Sequence, residues 1–323
     1  MPYDFITIGG ATEDITFYTR EGVLIDNKKD LTKQKLLAFE YGAKIKIDKS
    51  FSGFGGGAAN AAVCLARLGF KTACLAAIGR DDRGQRILNN FKREGVDGAL
   101  LQEVKNSATG FSFLLVGSDN EHICFSNRAA NDELRIMNHE REIMEKAKWI
   151  YLTSQSGAWQ KNLDKIFSVE GAKIAWNPGH RQIIAGVKAL GKYLKKTACL
   201  IVNKDEATEL ILSDKKYAAL NLNNQKNLLQ PLMSYGPRMA LITNGRHGAD
   251  ALVQGKIYHQ PIVKEKRRVD TTGVGDAFGS SFVGGLELYG GDIKKALLLA
   301  AKNSAAEVSE QGAQNGLLKR GEI

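Results

Sequence analysis

Proline and cysteine are scarce in this chain, with 5 and 4 among 323 residues against 34 glycines. Few prolines and no biased tracts exclude a low-complexity protein. The cysteines, Cys64, Cys74, Cys124 and Cys199, are scattered in apolar surroundings and form no Cys-x-x-Cys pair. That excludes a redox motif or a thiolate metal site and leaves reduced thiols, as expected of a cytoplasmic protein. No apolar run approaches the roughly 18 residues that would suggest a membrane span. Residues 1–4 contain no basic stretch leading into an apolar core, so secretion is not expected. Two glycine signatures are also missing. Without Gly-x-Gly-x-x-Gly after the first apolar run, residues 4–8, a dinucleotide-binding fold is disfavoured, and without Gly-x-x-x-x-Gly-Lys-Ser/Thr a P-loop is excluded. The formal charge of +10 comes from Lys and Arg spread along the chain without recurrent aromatic interleaving. It fits solubility and attraction for anionic substrates, and not a nucleic-acid partner.

What is present centres on residues 270–278, Asp-Thr-Thr-Gly-Val-Gly-Asp-Ala-Phe. The alternation before it predicts a strand over 260–269, and the spacing after it predicts a helix over 277–288. Helix N-termini present free N–H groups with partial positive charge, and glycines let a ligand oxygen approach them, so the turn reads as an anion cradle. Asp276 inside that cradle would compete with a bound anion. A carboxylate there suggests a proton acceptor for a hydroxyl attacking a bound phosphate.

A second glycine run, Gly53 to Gly57, leads into a helix of small apolar residues closed by Gly69. Strand-like 71–78, a helix over 85–93 and a strand starting at 95–97 alternate as β-α-β. The apolar runs 148–152, 172–176, 200–203 and 239–243 continue a parallel sheet covered by helices. Such sheets bind ligands beyond the carboxyl ends of their strands. Residues 43–48, 111–116 and 122–126 alternate as half-exposed strands and suit a small projecting sheet. Asn203 and Glu206 lie one helical turn apart. They suit either organising the water shell of Mg²⁺ or an N-terminal capping box. His247 reads as an exposed loop residue and the basic run 264–268 as a solvated face.

Residues 270–278 resemble the C-terminal signature of the ribokinase-like (PfkB) sugar and nucleoside kinases, departing only at Val274, where alanine is usual. Gly56-Gly57 followed by Asn60 is similar to the N-terminal signature of that family, which in ribokinases commonly carries Lys where Gly57 stands. The resemblance spans about residues 4–316. It implies an α/β ribokinase-like fold: a central, mostly parallel sheet with helices on both faces, forming one kinase domain over 1–323. A small β-sheet lid would come from segments about 15–52 and 108–128. It further implies an ATP- and Mg²⁺-dependent kinase acting on a hydroxyl of a sugar or nucleoside. Asp276 would be the base, and the Gly273, Val274 and Gly275 amides would hold the transferred group. Asp14, Gly56, Gly57 and Asn60 would bind the acceptor. Asn203, Thr243, Gly245, Gly248, Asn303 and Gly312 would line the nucleotide site, with Glu206 on Mg²⁺ through water. Asp270 and Thr272 would border a monovalent cation such as K⁺. A homodimer through the lid is the expected assembly, with no membrane partner.

Overall fold

The computed structural model describes residues 2–26, 35–117, 122–217, 222 and 224–323. Residues 27–34 and 118–121 of the two expected lid segments lie outside the described residues. Short aliphatic runs form the centre of the molecule: β1 (Phe5–Ile8), β6 (Thr72–Leu75), β11 (Trp149–Leu152), β12 (Lys173–Trp176), β13 (Cys199–Asn203) and β14 (Met239–Thr243). All six run parallel, while β15 (Ala249–Val253) and β16 (Lys256–Gln260) add an antiparallel edge. The order across the sheet is β16-β15-β14-β13-β12-β11-β1-β6.

Strands this apolar are covered on both faces. Side chains alternate across a strand, so Ile6 and Ile8 enter one core with Leu152, Trp176 and Val202, and Phe5 enters the other with Tyr151 and Ile201. The first core is closed by α3 (Asn138–Met144), α4 (Trp159–Ile166), α5 (His180–Leu194), α6 (Lys204–Leu212) and α7 (Gln225–Ser234). The second is closed by α1 (Gly57–Arg67), α8 (Val274–Leu288) and α9 (Ile293–Glu307). The chain passes from β1 to β6 on one flank and returns to β11 on the other. The carboxyl ends of β1 and β11 therefore open a crevice at the point where the strand order reverses.

A separate four-stranded sheet contains β2 (Thr12–Tyr18), β5 (Lys49–Gly55), β9 (Phe111–Val116) and β10 (His122–Asn127), in the order β10-β9-β2-β5. Two smaller pairs complete the strands: the hairpin β3 (Val23–Asp26) with β4 (Lys35–Ala38), and β7 (Ala77–Gly79) with β8 (Gln102–Val104). The four-stranded sheet is tied to the body by Glu13 of β2. Its carboxylate, 8% exposed, accepts from Arg83 at 3.0 Å and from Arg86 at 2.8 and 3.1 Å, both on α2 (Asp82–Glu94), and from the Ser52 hydroxyl at 3.2 Å. Those cations hold the Glu13 carboxyl below the usual range against the cost of burial.

Several sequence expectations need correction. Residues 43–48 form no strand despite their alternation; the segment is held to residues 18–21 by Asp48 N–H on the Tyr18 carbonyl, the Thr19 hydroxyl on the Lys46 carbonyl and Lys46 N–H on the Glu21 carboxylate, and not by a strand ladder among the described residues. Residues 261–269 form none either. The chain leaves the sheet at Gln260, and Arg267 is held by the Ser309 carbonyl and the Glu310 carboxylate. Alternation marks a strand only where a partner edge supplies hydrogen bonds. Residues 71–78 break at Ala76 into β6 and β7, and residues 95–97 contribute only the bridge between Ala73 and Asp97. Cys124 is exposed, unlike the three other cysteines. Among the described residues, no helix is long and apolar enough to cross a membrane.

Candidate active site

Helix α8 begins at Val274, three residues earlier than its spacing suggested, with Gly273 as N-cap at φ 76°. Any Cβ at Gly273 would lie 2.5 Å from that of Ala313, so only glycine fits this approach. Asp270 pins the loop below: one carboxylate oxygen accepts from the Thr272 N–H and hydroxyl, the other from the Gly312 N–H at 3.0 Å. Asp270 and Thr272 thus satisfy each other. The Val274 amide leans toward the Thr271 carbonyl at 3.4 Å, and that of Ala277 closes the first turn on the Gly273 carbonyl. Among the described residues, the amides of Gly273, Gly275 and Asp276 have no acceptor. The turn thus carries three free backbone donors, Asp276 among them and Val274 not.

Asp276 lies in the first turn of α8, and its Oδ2 accepts from the Asn60 amide at 2.8 Å. Burial raises the Asp276 carboxyl, Asn60 opposes that rise, and the charge of Asp14 reinforces it. A Cβ at Gly57 would meet Asp276 Oδ1 and Thr153 at 3.2 Å. Asp276 thus stands beside Gly57, which with Gly9, Gly10, Gly56 and residues 154–156 lines a cavity of about 150 Å³ over the β1 and β11 crevice. Gly56, at φ 89°, touches Gly10 so closely that a Cβ would sit 2.4 Å from its carbonyl oxygen.

Two acceptor residues are placed differently from expectation. Asn60 is 4% exposed and hydrogen-bonded at both ends, to Asp276 and to Gln314, and is not among the residues lining the cavity. Asp14 is in the middle of β2 and not at the end of the first strand. It accepts from the Thr12 hydroxyl at 3.0 Å, and Thr12 and Ser112, not Asp14, line the cavity.

A second cavity, about 260 Å³, opens on the other side of the α8 N-terminus. Thr243 at the end of β14 lines it with Gly245, Gly248, Val274 and Gly275, under an apolar wall of Ile262 and Val263. Those last residues belong to the segment whose alternation suggests a strand. Helix α9 contributes Ala301, Ser304 and Ala305 but not Asn303. Asn303 is fully buried; its amide donates to the Ser281 hydroxyl at 2.7 Å and its oxygen accepts from the Leu318 N–H. Gly312 also lies outside this cavity, beside Phe51 and Asp270. Asn203 and Glu206 form the reciprocal capping box of α6, with Glu206 N–H donating at 2.8 Å and its Oε2 accepting from Asn203 N–H at 2.9 Å. Glu206 Oε1 takes no part in the box. Burial raises this carboxyl, and Asp205 and Asp276 add to the effect. Glu307 ends α9 at 1% exposure, and neither of its oxygens has a hydrogen-bond partner.

Some lining residues carried no sequence signal. Asn131 reaches back 120 positions to hold Ala11 through paired hydrogen bonds at 3.0 Å, and Arg128 brings a charge into the smaller cavity. Both flank Ala129, whose φ of 40° is unusual for a residue with a side chain and tightens this turn toward the crevice.

The family model for pfkB family carbohydrate kinases matches residues 29–320. An ATP-dependent ribose-1-phosphate kinase of Halopiger xanaduensis is 25% identical over 81% of this chain and 82% of its own. A ribokinase of Haemophilus influenzae is 25% identical over 83% and 85%. Among solved structures, Arabidopsis thaliana ribokinase complexed with ribose and ATP superposes with a TM-score of 0.83 at 20% identity, covering 100% of this chain and 97% of that one. A Burkholderia thailandensis nucleoside kinase in complex with inosine gives 0.79 at 20% identity, covering 98% and 95%. The fold is that of the ribokinases, and the chain belongs to the pfkB family of carbohydrate kinases, phosphotransferases with an alcohol group as acceptor.

Proposed function

We propose that the enzyme phosphorylates a hydroxyl of a sugar that carries an anionic group, using ATP. The observation that supports the chemistry is the position of Asp276, whose carboxylate stands beside Gly57 of the smaller cavity while Val274 and Gly275 of its own helix turn line the larger one. The acceptor would occupy the smaller cavity and the nucleotide the larger. Asp276 takes the proton of the attacking hydroxyl, and the free amides of Gly273, Gly275 and Asp276 face the charge on the transferring group. The apolar wall and the bare turn at Gly245 suit a flat base and its phosphates. Glu206, with one oxygen outside its capping box, would hold Mg²⁺ through water, and Mg²⁺ when bound neutralises phosphate charge. The four-stranded sheet would act as a lid that excludes water from the acceptor.

Arg128 supports the anionic acceptor. It is the one charged side chain lining the smaller cavity, and no carboxylate among the described residues pairs with it. A guanidinium there suits a phosphate or a carboxylate on the sugar, and the Halopiger relative is named a ribose-1-phosphate kinase. ADP release is expected with phosphosugars or 2-keto-3-deoxygluconate above ribose. Arg128→Gln should raise KM for the anionic acceptor by about 10- to 100-fold with kcat nearly kept, as loss of one charge-assisted contact predicts. Equal turnover of ribose or a nucleoside, with KM indifferent to Arg128→Gln, would overturn the acceptor assignment.

The lid also supports a homodimer. Val23 is 65% and Ile25 45% exposed on the hairpin strand β3, and Phe125 53% exposed on β10, apolar side chains within the expected lid segments that a second copy could cover. Light scattering at micromolar concentration should give twice the chain mass; a monomer would refute it.

A further inference from the structure

Asp276 is the end of a buried chain of side-chain amides. Arg93 Nη2 donates to Asn90 Oδ1 at 2.6 Å, Asn90 Nδ2 to Gln314 Oε1 at 2.9 Å, Gln314 Nε2 to Asn60 Oδ1 at 2.9 Å, and Asn60 Nδ2 to Asp276 Oδ2 at 2.8 Å. The three amide residues are 3%, 6% and 4% exposed, and Asn90 and Gln314 line, with Arg93, a cavity of about 250 Å³. Arg93, at the outer end, can only donate, and the ionised Asp276 can only accept. An amide between such ends has one orientation that satisfies both neighbours, and reversing any one of them places two oxygens or two N–H groups face to face. A guanidinium on α2 therefore dictates, through three amides on three different segments, that an N–H points at Asp276.

We infer that Gln314 and Asn90 are positioning residues for phosphoryl transfer, which fix the Asn60 amide with its N–H toward the Asp276 carboxylate. This rests on the reading of Asp276 as the base. Neither residue touches the cavities beside Asp276, and both act through Asn60. The chain does two things for a carboxyl that burial raises: it holds the carboxylate in one rotamer and it supplies a donor to the ionised form. Asp14 from β2, Glu206 from α6, Glu307 from α9 and the Tyr151 phenol from β11 also face Asp276 electrostatically. The substitutions below leave all four in place.

Gln314→Glu keeps the shape and the acceptor for Asn90 but removes the donor to Asn60, which then faces an acceptor at each end. Asn90→Asp does the same one step outward, and there Arg93 neutralises the added charge, so only the direction of the chain changes. Rates measured from about pH 5 to about pH 9 should show the acid limb of kcat/KM displaced upward by about one unit in both variants, because the ionised base has lost its donor. The rate constant kcat at neutral pH should fall about tenfold, with KM for ATP within about twofold of wild type. Asn90→Leu, which deletes the link without reversing it, should give a smaller displacement in the same direction. An unmoved acid limb in a folded variant, as judged by circular dichroism and its melting curve, would overturn the inference, leaving Gln314 a packing residue. The test separates this failure from that of the base assignment. Near-normal turnover of folded Asp276→Asn sinks the base, whereas an inactive Asp276→Asn beside an unmoved limb in Gln314→Glu and Asn90→Asp sinks the chain alone.

Discussion

Asp276→Asn is expected to lower kcat by at least about 100-fold, the lower end of what general-base help contributes, while the protein stays folded. The replacement is nearly isosteric, and the oxygen of the new side-chain amide can still accept from Asn60, so the packing around α8 has no reason to change. What disappears is the ability to take a proton from the acceptor hydroxyl. The wild-type carboxyl is raised by burial, so the ionised, active form is reached at higher pH than for an ordinary aspartate. Activity should accordingly fall toward acid along a limb set above the usual carboxylate range, and that limb should vanish from whatever residual rate Asp276→Asn retains. Positioning and the free amides would account for the residual rate. Near-normal kcat in the folded variant would remove Asp276 from the chemistry.

The second large effect concerns stability. Glu307 is pushed up to about 8 by burial; the Gly316 amide, close by without reaching hydrogen-bond geometry, and Arg67 oppose the rise, and Asp270 and Asp276 reinforce it. The folded chain thus binds a proton that the unfolded chain releases at ordinary carboxylate pH. The contribution of protonated Glu307 is fully present below the unfolded value of about 4.5 and is lost as pH rises toward about 8. Each pH unit in that window costs about 1.4 kcal/mol before relaxation and water entry reduce it. Glu307→Gln carries no such proton. Denaturant melts at about pH 5 and about pH 9 should show the variant gaining on wild type by roughly 3 kcal/mol between them. Parallel stability profiles for the two proteins would show that Glu307 ionises in place without cost.

The centre of the fold was legible because its signals are local. Residues 270–278 declare a turn and a helix start through glycine and a carboxylate, and Asn203 with Glu206 declares a cap at one-turn spacing. The strands of the main sheet are apolar on both faces and need no partner to be recognised. Misreadings arose where a pattern depends on something distant. Residues 43–48 and 261–269 alternate as strands do, but only the folded chain reveals that neither pairs with a strand among the described residues. Asn60 and Asn303 sit at positions that a family pattern assigns to ligands, yet their partners, Gln314 and Ser281, lie 254 and 22 residues away. Asn131 and Arg128 reach the smaller cavity from a tight turn that no spacing announces.

Helix α2 carries Arg83 and Arg86 toward its start and Asn90 and Arg93 toward its end. Its first half bolts the lid strand β2 through Glu13, and its second half terminates the amide chain that reaches Asp276. One helix therefore ties both the four-stranded sheet and the amide chain that ends on Asp276. The hairpin β3 and β4 takes part in neither connection, so substitutions in its described residues leave both in place. Changes in α2 have no such freedom, because a tilt that loosened the lid would also slacken the chain behind Asp276.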